Sequence, residues 1–284
     1  SLALADVQPW LPVDWPLHST LVVGGRWQFV ADTHVDGELL LWRERGDLRL
    51  RSNSAIRLGL ERLDLHATVA RNRVHAQLHG RGQTLGEIAA EFNAGLSRHA
   101  GFWRIAPDSA FGLSARAEVP SIAWFALFTP LPFQLDGSLR ADVRAGGQWQ
   151  KPEWHGTVTG ADWSLVWPQQ GIRWRQGTLQ AQLDGTRARL TRLQLQADEG
   201  GSVSAVGEID IASQSGQARV SAKQLSLMQT ATRNLVASGE ARIDLRGRDV
   251  RIDGAMKLDR GRIELADFDV SAEIAKAESI AAQA

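Results

Sequence analysis

The chain contains no cysteine and no tyrosine, and its charges leave no net excess of either sign. The absence of cysteine excludes disulfide bonds and thiolate chemistry. The 32 basic and 32 acidic side chains are interleaved along the chain, with no basic cluster. A nucleic acid needs a field of one sign on its partner, so the composition argues against a nucleic-acid partner.

Long apolar runs are also missing. No run approaches the roughly 18 apolar residues of a membrane-spanning helix. The first residues, SLALADVQPW, lack a basic segment followed by an apolar core, so they do not read as a signal peptide. We expect targeting and anchoring segments to lie outside this sequence. With 284 residues, of which 43% are hydrophobic, the composition is that of a folded protein.

What the chain does have is alternation of apolar and charged residues, clearest over residues 239–265. The residues predicted to lie on one face of the strands are apolar: Ala241, Ile243, Leu245, Val250, Ile252, Met256, Leu258, Ile263 and Leu265. Those on the other face are almost all charged, as expected for strands with one buried face. Gly247–Asp249 and Asp259–Gly261 have turn-forming residues. The segment therefore predicts three antiparallel strands with one uncovered apolar face.

The same pattern recurs through most of the chain. It predicts strands over 17–24, 27–31, 35–42, 47–50, 63–69, 74–78 and 133–145, with a turn at Gly24-Gly25. Residues 86–97 fit both a helix and a strand, and the neighbouring strands favour a strand. The alternation stops at 120–128, where Pro120 precedes a short apolar run that predicts one short helix capping an end of the sheet.

A weak repeat divides the chain. GGRWQ at Gly24–Gln28 recurs as GGQWQ at Gly146–Gln150, about 120 residues later. We interpret residues 1–119 as a first β unit, 120–132 as a helical junction, 133–269 as a second β unit of the same groove, and 270–284 as a helical or frayed tail.

Sixteen to eighteen strands joined by tight turns predict an all-β fold. Because the inward set is rich in Ala and Gly, we expect an elongated, curled antiparallel sheet, a β-taco or half-pipe, with a hydrophobic groove instead of a closed core. Lipid acyl chains are the natural occupant. The predicted groove residues are Leu135, Leu139, Val143, Leu179, Leu183, Val203, Ile209, Val220, Ile243, Leu245, Ile252, Met256, Leu258 and Ile263.

Three segments, 135–185, 201–211 and 238–265, resemble the TamB family of the translocation and assembly module, within the AsmA-like group. DVQPWLP at Asp6–Pro12, GELLLWRERGDLRL at Gly37–Leu50 and VPSIAW at Val119–Trp124 are similar to its upstream region. The resemblance implies a periplasmic half-pipe, anchored in the inner membrane elsewhere, that moves phospholipid to the outer membrane. It also implies an Omp85-type outer-membrane barrel partner, contacted through other regions, and no catalytic residues.

No enzyme or metal chemistry is indicated by the sequence, which predicts neither a catalytic site nor a cofactor. His75 and His79 share a strand face but lie about 14 Å apart, too far for one metal ion. Two alternatives stay open beside the lipid groove. One is a structural scaffold whose exposed strand edges pair with another strand-rich chain. The other is a glycan-binding module built on the tryptophans Trp149, Trp154, Trp163, Trp167 and Trp174, which could equally line the groove or its rim.

Overall fold

A computed structural model describes residues 2–3, 17–50, 57–99, 101–124, 133–198, 200–230, 232–247 and 249–263. Most of these residues lie in antiparallel strands. The strands before residue 120 are β1 (Leu2–Ala3), β2 (Leu17–Ser19), β3 (Val22–Ala31), β4 (Val35–Arg45), β5 (Leu48–Leu50), β6 (Leu60–Ala70), β7 (Arg73–Gly82), β8 (Gly86–His99), β9 (Phe102–Ile105) and β10 (Ala110–Val119).

The strands of the second half are longer. They are β11 (Gln134–Gln148), β12 (Lys151–Trp167), β13 (Ile172–Gly185), β14 (Arg187–Ala197), β15 (Ser202–Asp210), β16 (Ser215–Gln229), β17 (Arg233–Arg246) and β18 (Asp249–Ile263). A single 3-10 turn at Pro168–Gln170 joins β12 to β13.

One sheet contains sixteen of the described strands. Its order is β1-β3-β4-β6-β7-β8-β10 and then β11 to β18 in sequence, with β9 attached to β8 and with β2 and β5 forming a separate pair. In the described part, β1 pairs only with β3 and β18 only with β17, so the sheet is not closed. The predicted all-β, elongated antiparallel sheet is confirmed, and residues 86–97 form a strand as expected.

The predicted turn at Gly24-Gly25 is wrong, because these two glycines make room for the neighbouring strand instead of reversing the chain. Gly24 and Gly25 lie inside β3. A Cβ on Gly24 would come within 2.5 Å of the indole of Trp42, and one on Gly25 within 2.8 Å of Leu41, so glycine here makes room for the neighbouring strand. Gly146 and Gly147 likewise lie inside β11, and the turn falls at residues 149–150.

The second error concerns residues 259–261, which lie inside β18. Val236 pairs with Arg260 and Ala237 with Leu258, so β18 carries one extra residue there. That is a β-bulge, which uses the same tolerant residue types as a turn without reversing the chain. Residues 239–263 therefore contribute two strands, not three.

Residues 125–128 of the predicted helix at 120–128 lie outside the described residues, as does the whole tail 270–284. Ala123 and Trp124 are in 3-10 conformation. Ile122 is buried, and its N–H donates a 2.9 Å hydrogen bond to the carbonyl of Gly137. The sheet crosses this junction unbroken, because β10 pairs directly with β11 along its whole length.

A line of bulges crosses the second half of the sheet. Positive φ angles occur at Gly137 (130°), Asp162 (55°) and Gln176 (52°), on the consecutive strands β11, β12 and β13, and again at Gln224 (45°) on β16. The pairing register shifts beside each of them. Because a bulge bends its strand and increases its twist, this line, here called the crease, bends the strands together.

The most buried apolar side chains gather towards one end of the strands. They include Leu60 at the start of β6, Val119 at the end of β10, Ile172 at the start of β13 and Leu225 late in β16. No large side chain among the described residues is completely buried. The sheet thus packs a narrow core along one end and leaves the rest of its apolar surface only partly covered.

Candidate functional site

An unbroken apolar row runs across fourteen strands. It is read from strand to strand by direct pairing, and we call it the central row: Gly25, Leu41, Leu65, Leu78, Ala90, Ala115, Val143, Gly156, Leu183, Ala188, Ile209, Gly216, Leu245 and Val250. Every member is glycine or aliphatic. At about 4.8 Å between strands, the row extends for about 60 Å along the sheet.

Two more rows lie beside it on the same face. One comprises Leu63, Gly80, Ile88, Ala117, Ala141, Val158, Ala181, Leu190, Gly207, Ala218, Ile243 and Ile252. The next comprises Val119, Leu139, Gly160, Leu179, Leu193, Ala205, Val220, Ala241 and Gly254. The central row and these two rows together form the apolar face.

The opposite face is mostly polar. The row next to the central row is Arg26, Leu40, His66, Gln77, Glu91, Ser114, Arg144, His155, Asp184, Arg187, Asp210, Ser215, Arg246 and Asp249. Exposed cross-strand ion pairs, such as Arg116–Asp142 at 2.9 Å and Arg140–Glu118 at 3.0 Å, cover this side. Such pairs stabilise little individually, but they keep this face solvated.

The apolar face is concave where the strands are longest. The indole N–H of Trp174, on β13, donates a 3.3 Å hydrogen bond to the carbonyl of Ser226, on β16. In a flat sheet strands three positions apart are separated by about 14 Å. The sheet therefore curls towards the face that carries Trp174, which lies directly opposite Ala197 and Leu165.

A groove lies on this concave face between β13 and β18. It holds about 360 Å³ and has almost wholly apolar walls, formed by Leu190, Ile209, Ala218, Ile243, Leu245 and Val250. A larger hollow of about 630 Å³ lies on the polar face and is lined by charged residues including Glu87, Glu118 and Arg140. Glu118 pairs there with Arg140 at 3.0 Å, and the lining is charged, so the smaller apolar groove is the better candidate for an apolar ligand.

The structure places the predicted groove residues on one face. Val143, Leu183, Ile209 and Leu245 belong to the central row, and five others, Leu139, Leu179, Val220, Ile243 and Ile252, belong to the adjacent rows. Val203 and Met256 share a further apolar row through Ala222 and Gly239, Leu135 pairs with Leu165, and Leu258 pairs with Ala237. Ile263 is in register with Arg233, and its side chain lies outside the described set.

The groove residues predicted from the sequence begin at Leu135, so the prediction left out the first half of the chain. Leu41, Leu65 and Leu78 extend the central row across β4, β6 and β7. The alternation in those strands was already visible in the sequence, so the signal was present. The glycines Gly156 and Gly216 were missed for another reason, since a residue without a side chain carries no parity signal.

The five clustered tryptophans do not form one stacking platform. Trp149 packs edge-on against Phe92 and Phe111, with ring centroids 6.0 and 5.4 Å away. Among the described residues it is the only one of the five in contact with another aromatic ring. Trp154 lies on the apolar face opposite Ala145, and its indole N–H is buried without a hydrogen-bond partner.

Trp163 occupies the crease. Its indole N–H donates a 2.8 Å hydrogen bond to the carbonyl of Ser138. Three glycines on three adjacent strands surround it, and an added Cβ would approach Trp163 to 2.5 Å from Gly137, 2.5 Å from Gly160 and 2.6 Å from Gly177. The glycines therefore form a cradle for this ring, which covers the apolar face beside Leu139 and Leu179.

One carboxyl group is strongly perturbed. Asp210 accepts hydrogen bonds from the Ser213 N–H at 2.8 Å, the Ser213 hydroxyl at 2.9 Å and the Thr186 hydroxyl at 2.7 Å. These bonds, the Ser213 N–H first, lower the pKa of Asp210 from 3.8 to about 2. The carboxylate ties the β13–β14 turn to the β15–β16 turn at one mouth of the groove.

Metal-site geometry is not found among the described residues, which hold no group of three or more His, Asp or Glu side chains placed to share an ion. His75 and His79 both lie on the polar face and are exposed. None of the helical segments in the described part is long and apolar enough to cross a membrane.

Comparison of the chain with protein-family models, with curated proteins and with solved structures finds no significant match.

Proposed function

We propose that the apolar face shelters the acyl chains of phospholipids, as a periplasmic segment of a TamB-like protein. In that role it serves phospholipid transport between the inner and outer membranes and the assembly of outer-membrane proteins. The observation that carries the proposal is the central row, in which no polar side chain interrupts fourteen consecutive strands.

The dimensions of the row suit a chain-like apolar ligand. A bilayer's hydrocarbon core is about 30 Å thick, so one acyl chain spans about 15 Å. The row of about 60 Å is several times longer. A ligand that fits one pocket needs a closed end and a few polar anchors. The groove walls between β13 and β18 offer almost no polar group, so they suit sliding better than specific capture.

Side-chain size along the row supports the same conclusion. Gly156, Ala188 and Gly216 alternate with Leu183, Ile209 and Leu245 across adjacent strands. A closed core would fill this space to crystal-like density. Here no large side chain among the described residues is completely buried, and the space stays open.

The distribution of charged side chains supports a position of the lipid head groups outside the groove. Exposed ion pairs such as Arg116–Asp142 and Arg140–Glu118 lie on the opposite face. A phospholipid head group would keep its hydration at the lips of the groove, since burying an unpaired charge among aliphatic side chains is very costly. The setting in a diderm envelope rests on the resemblance to the TamB family. Contact with an Omp85-type barrel is assigned to regions outside this sequence.

Native mass spectrometry with lipid extraction tests the proposal. The purified chain is expected to carry phospholipid that is released by organic solvent. A Leu245→Asp variant should lose that lipid, while the neighbouring Asp244→Leu variant, altered on the polar face, should keep it. Protein that is lipid-free after gentle purification, and that fails to take up phospholipid from vesicles, would overturn the proposal.

A structural scaffold is the second candidate, and the observation that favours it is that β18 pairs with β17 alone among the described residues. An edge strand presents unpaired backbone groups to another strand. A stable complex with another strand-rich protein, formed without bound lipid, would favour the scaffold over the lipid groove.

A further inference from the structure

We propose that β18 is a self-association edge, which pairs antiparallel with β18 of a second copy about a two-fold axis at Ala255. The pairing would join two sheets into one and make their apolar faces continuous. The inference does not depend on what the groove binds.

The edge is long, and no described residue covers it. β18 spans fifteen residues and pairs on one side with β17. Its apolar side chains are largely exposed: Val250 58%, Ile252 65%, Met256 59% and Leu258 58%. Protein surfaces that leave such a stripe open usually bury it against a partner.

The charges along β18 complement those of β18 in a second copy. With Ala255 opposite Ala255 of the second copy, Asp253 lies opposite Lys257, and Arg251 lies next to the bulged residue Asp259. The two-fold axis repeats the Asp253–Lys257 pair, so two opposite-charge pairs form on the polar face. Asp259 is on that face, since it accepts a hydrogen bond from the Ser238 hydroxyl. In the single copy, Asp253 is paired with Arg251 of its own strand at 2.7 Å.

The apolar residues of the two β18 strands also lie opposite each other in this register. Ile252 lies opposite Leu258 of the second copy, and Gly254 lies opposite Met256. Direct cross-strand pairs of this kind are the unit that stabilises a sheet. A two-fold axis perpendicular to the sheet keeps both apolar faces on one side, so the two faces become continuous, with the central rows of the two copies offset by about 34 Å along the strands.

Other pairing registers of the two β18 strands are less stable. Sliding one strand by two residues places Asp249 next to Asp259 and Arg251 opposite Lys257. Sliding it the other way places Asp253 next to Asp259. A slide of one residue sets apolar side chains against charged ones, because successive residues point to opposite faces. Like charges directly opposite each other are destabilising.

Charge-reversal variants of the full chain test the partner. Lys257→Glu alone places Glu opposite Asp253, and Asp253→Lys alone places Lys opposite Lys257, so each should dissociate. In each variant dimer two opposite-charge pairs become like-charge pairs, which should weaken dimerisation at least about tenfold. An equimolar mixture of the two variants restores opposite charges at both pairs and should form a heterodimer, measured by sedimentation equilibrium. Circular dichroism checks that each variant folds.

A cysteine scan tests the register, since the chain has no cysteine of its own. Residues directly opposite in an antiparallel pair have Cα atoms about 4.5 to 5.5 Å apart, within disulfide range. An Ala255→Cys variant should therefore form a covalent dimer under mild oxidation. Asp253→Cys and Lys257→Cys variants should not, because each cysteine would lie about 14 Å from its counterpart.

Three results would overturn the inference. They are a wild-type chain that stays monomeric at high micromolar concentration, a dimer that both charge variants leave unchanged, and equal crosslinking from all three cysteine positions. Capture of a different strand-rich protein at β18, with no dimer, would assign the edge to that partner instead.

Discussion

Trp174 and Ser226 lie on strands three positions apart, yet the indole N–H of Trp174 donates a 3.3 Å hydrogen bond to the Ser226 carbonyl. Ser226 is buried, and Trp174 is half-buried above β14 and β15. The contact is possible only because the sheet curls, so the two residues fasten the curl from inside the groove.

Replacing Trp174 should separate its two contributions. Trp174→Phe keeps most of the ring and removes the hydrogen bond, so we expect a loss of about 1 kcal/mol in the free energy of unfolding. Trp174→Ala removes the ring as well and should cost about 2 kcal/mol more, because a half-buried aromatic loses its packing. Urea unfolding measures both values.

Small-angle scattering provides the structural readout for the same pair. Trp174→Ala should flatten the curl and increase the radius of gyration, and Trp174→Phe, which loses only the hydrogen bond, should increase it less. Equal stability of the two variants and the wild type would show that the curl does not depend on this contact.

The glycine cradle around Trp163 makes a second prediction. Gly160→Ala places a methyl group 2.5 Å from the indole nitrogen, so the ring must move and its bond to Ser138 must weaken. Overpacking of this kind costs about 1 to 3 kcal/mol. Gly146→Ala is the matched control, since its nearest neighbour would be 3.6 Å away. Thermal unfolding should separate the two variants, and equal melting temperatures would contradict the cradle.

Asp210 predicts a dependence of stability on acid pH. The pKa of Asp210 in the folded chain is about 2, below the ordinary 3.8. Its contribution to the free energy of unfolding is therefore fully present above pH 4. That contribution is lost as the pH falls from about 4 through 2. NMR titration of the carboxyl group measures the pKa directly. Thr186→Ala removes one donor and should raise the pKa towards its ordinary value. A wild-type titration midpoint near 3.8 would contradict the hydrogen-bond network.

Parity of side chains was enough to predict most strands, because a strand with one buried face alternates regardless of its neighbours. Ile243 and Leu245, on β17, and Val250 and Ile252, on β18, were placed on one face from the sequence, and the structure confirms it. The ambiguous segment 86–97 was assigned correctly because its neighbours were strands.

The alternation of side chains along a strand does not predict which distant residues pair. Gly24 looks like a turn residue until Trp42 is known to lie against it. The bulge at Asp259 and the crease through Gly137, Asp162 and Gln176 depend on register between strands, which alternation does not encode. The curl towards Ser226 is a property of four strands together. Local pattern determined which face is apolar, and long-range pairing determined how that face bends.

A charge introduced in the central row should impair lipid binding more than folding. Leu183 is half-buried between Gly156 and Ala188, so Leu183→Asp places a carboxylate in the groove at moderate cost in stability. Gln182→Asp, one residue away on the polar face, lies in register with Arg189 and is the control. Phospholipid uptake from vesicles should fall for Leu183→Asp alone. Complete unfolding of that variant would instead identify this position as closed core.

The most direct test of the lipid groove is photocrosslinking at adjacent positions of opposite parity. A photoreactive residue replaces Leu183, Leu245 or Ile252 on the apolar face, and Gln182, Asp244 or Arg251 on the polar face. Each pair of positions shares its strand and surroundings, so only the face differs. We predict phospholipid adducts at the three apolar positions and none at the three polar positions. Equal labelling on both faces, or no labelling on either, would contradict the claim that this face holds acyl chains.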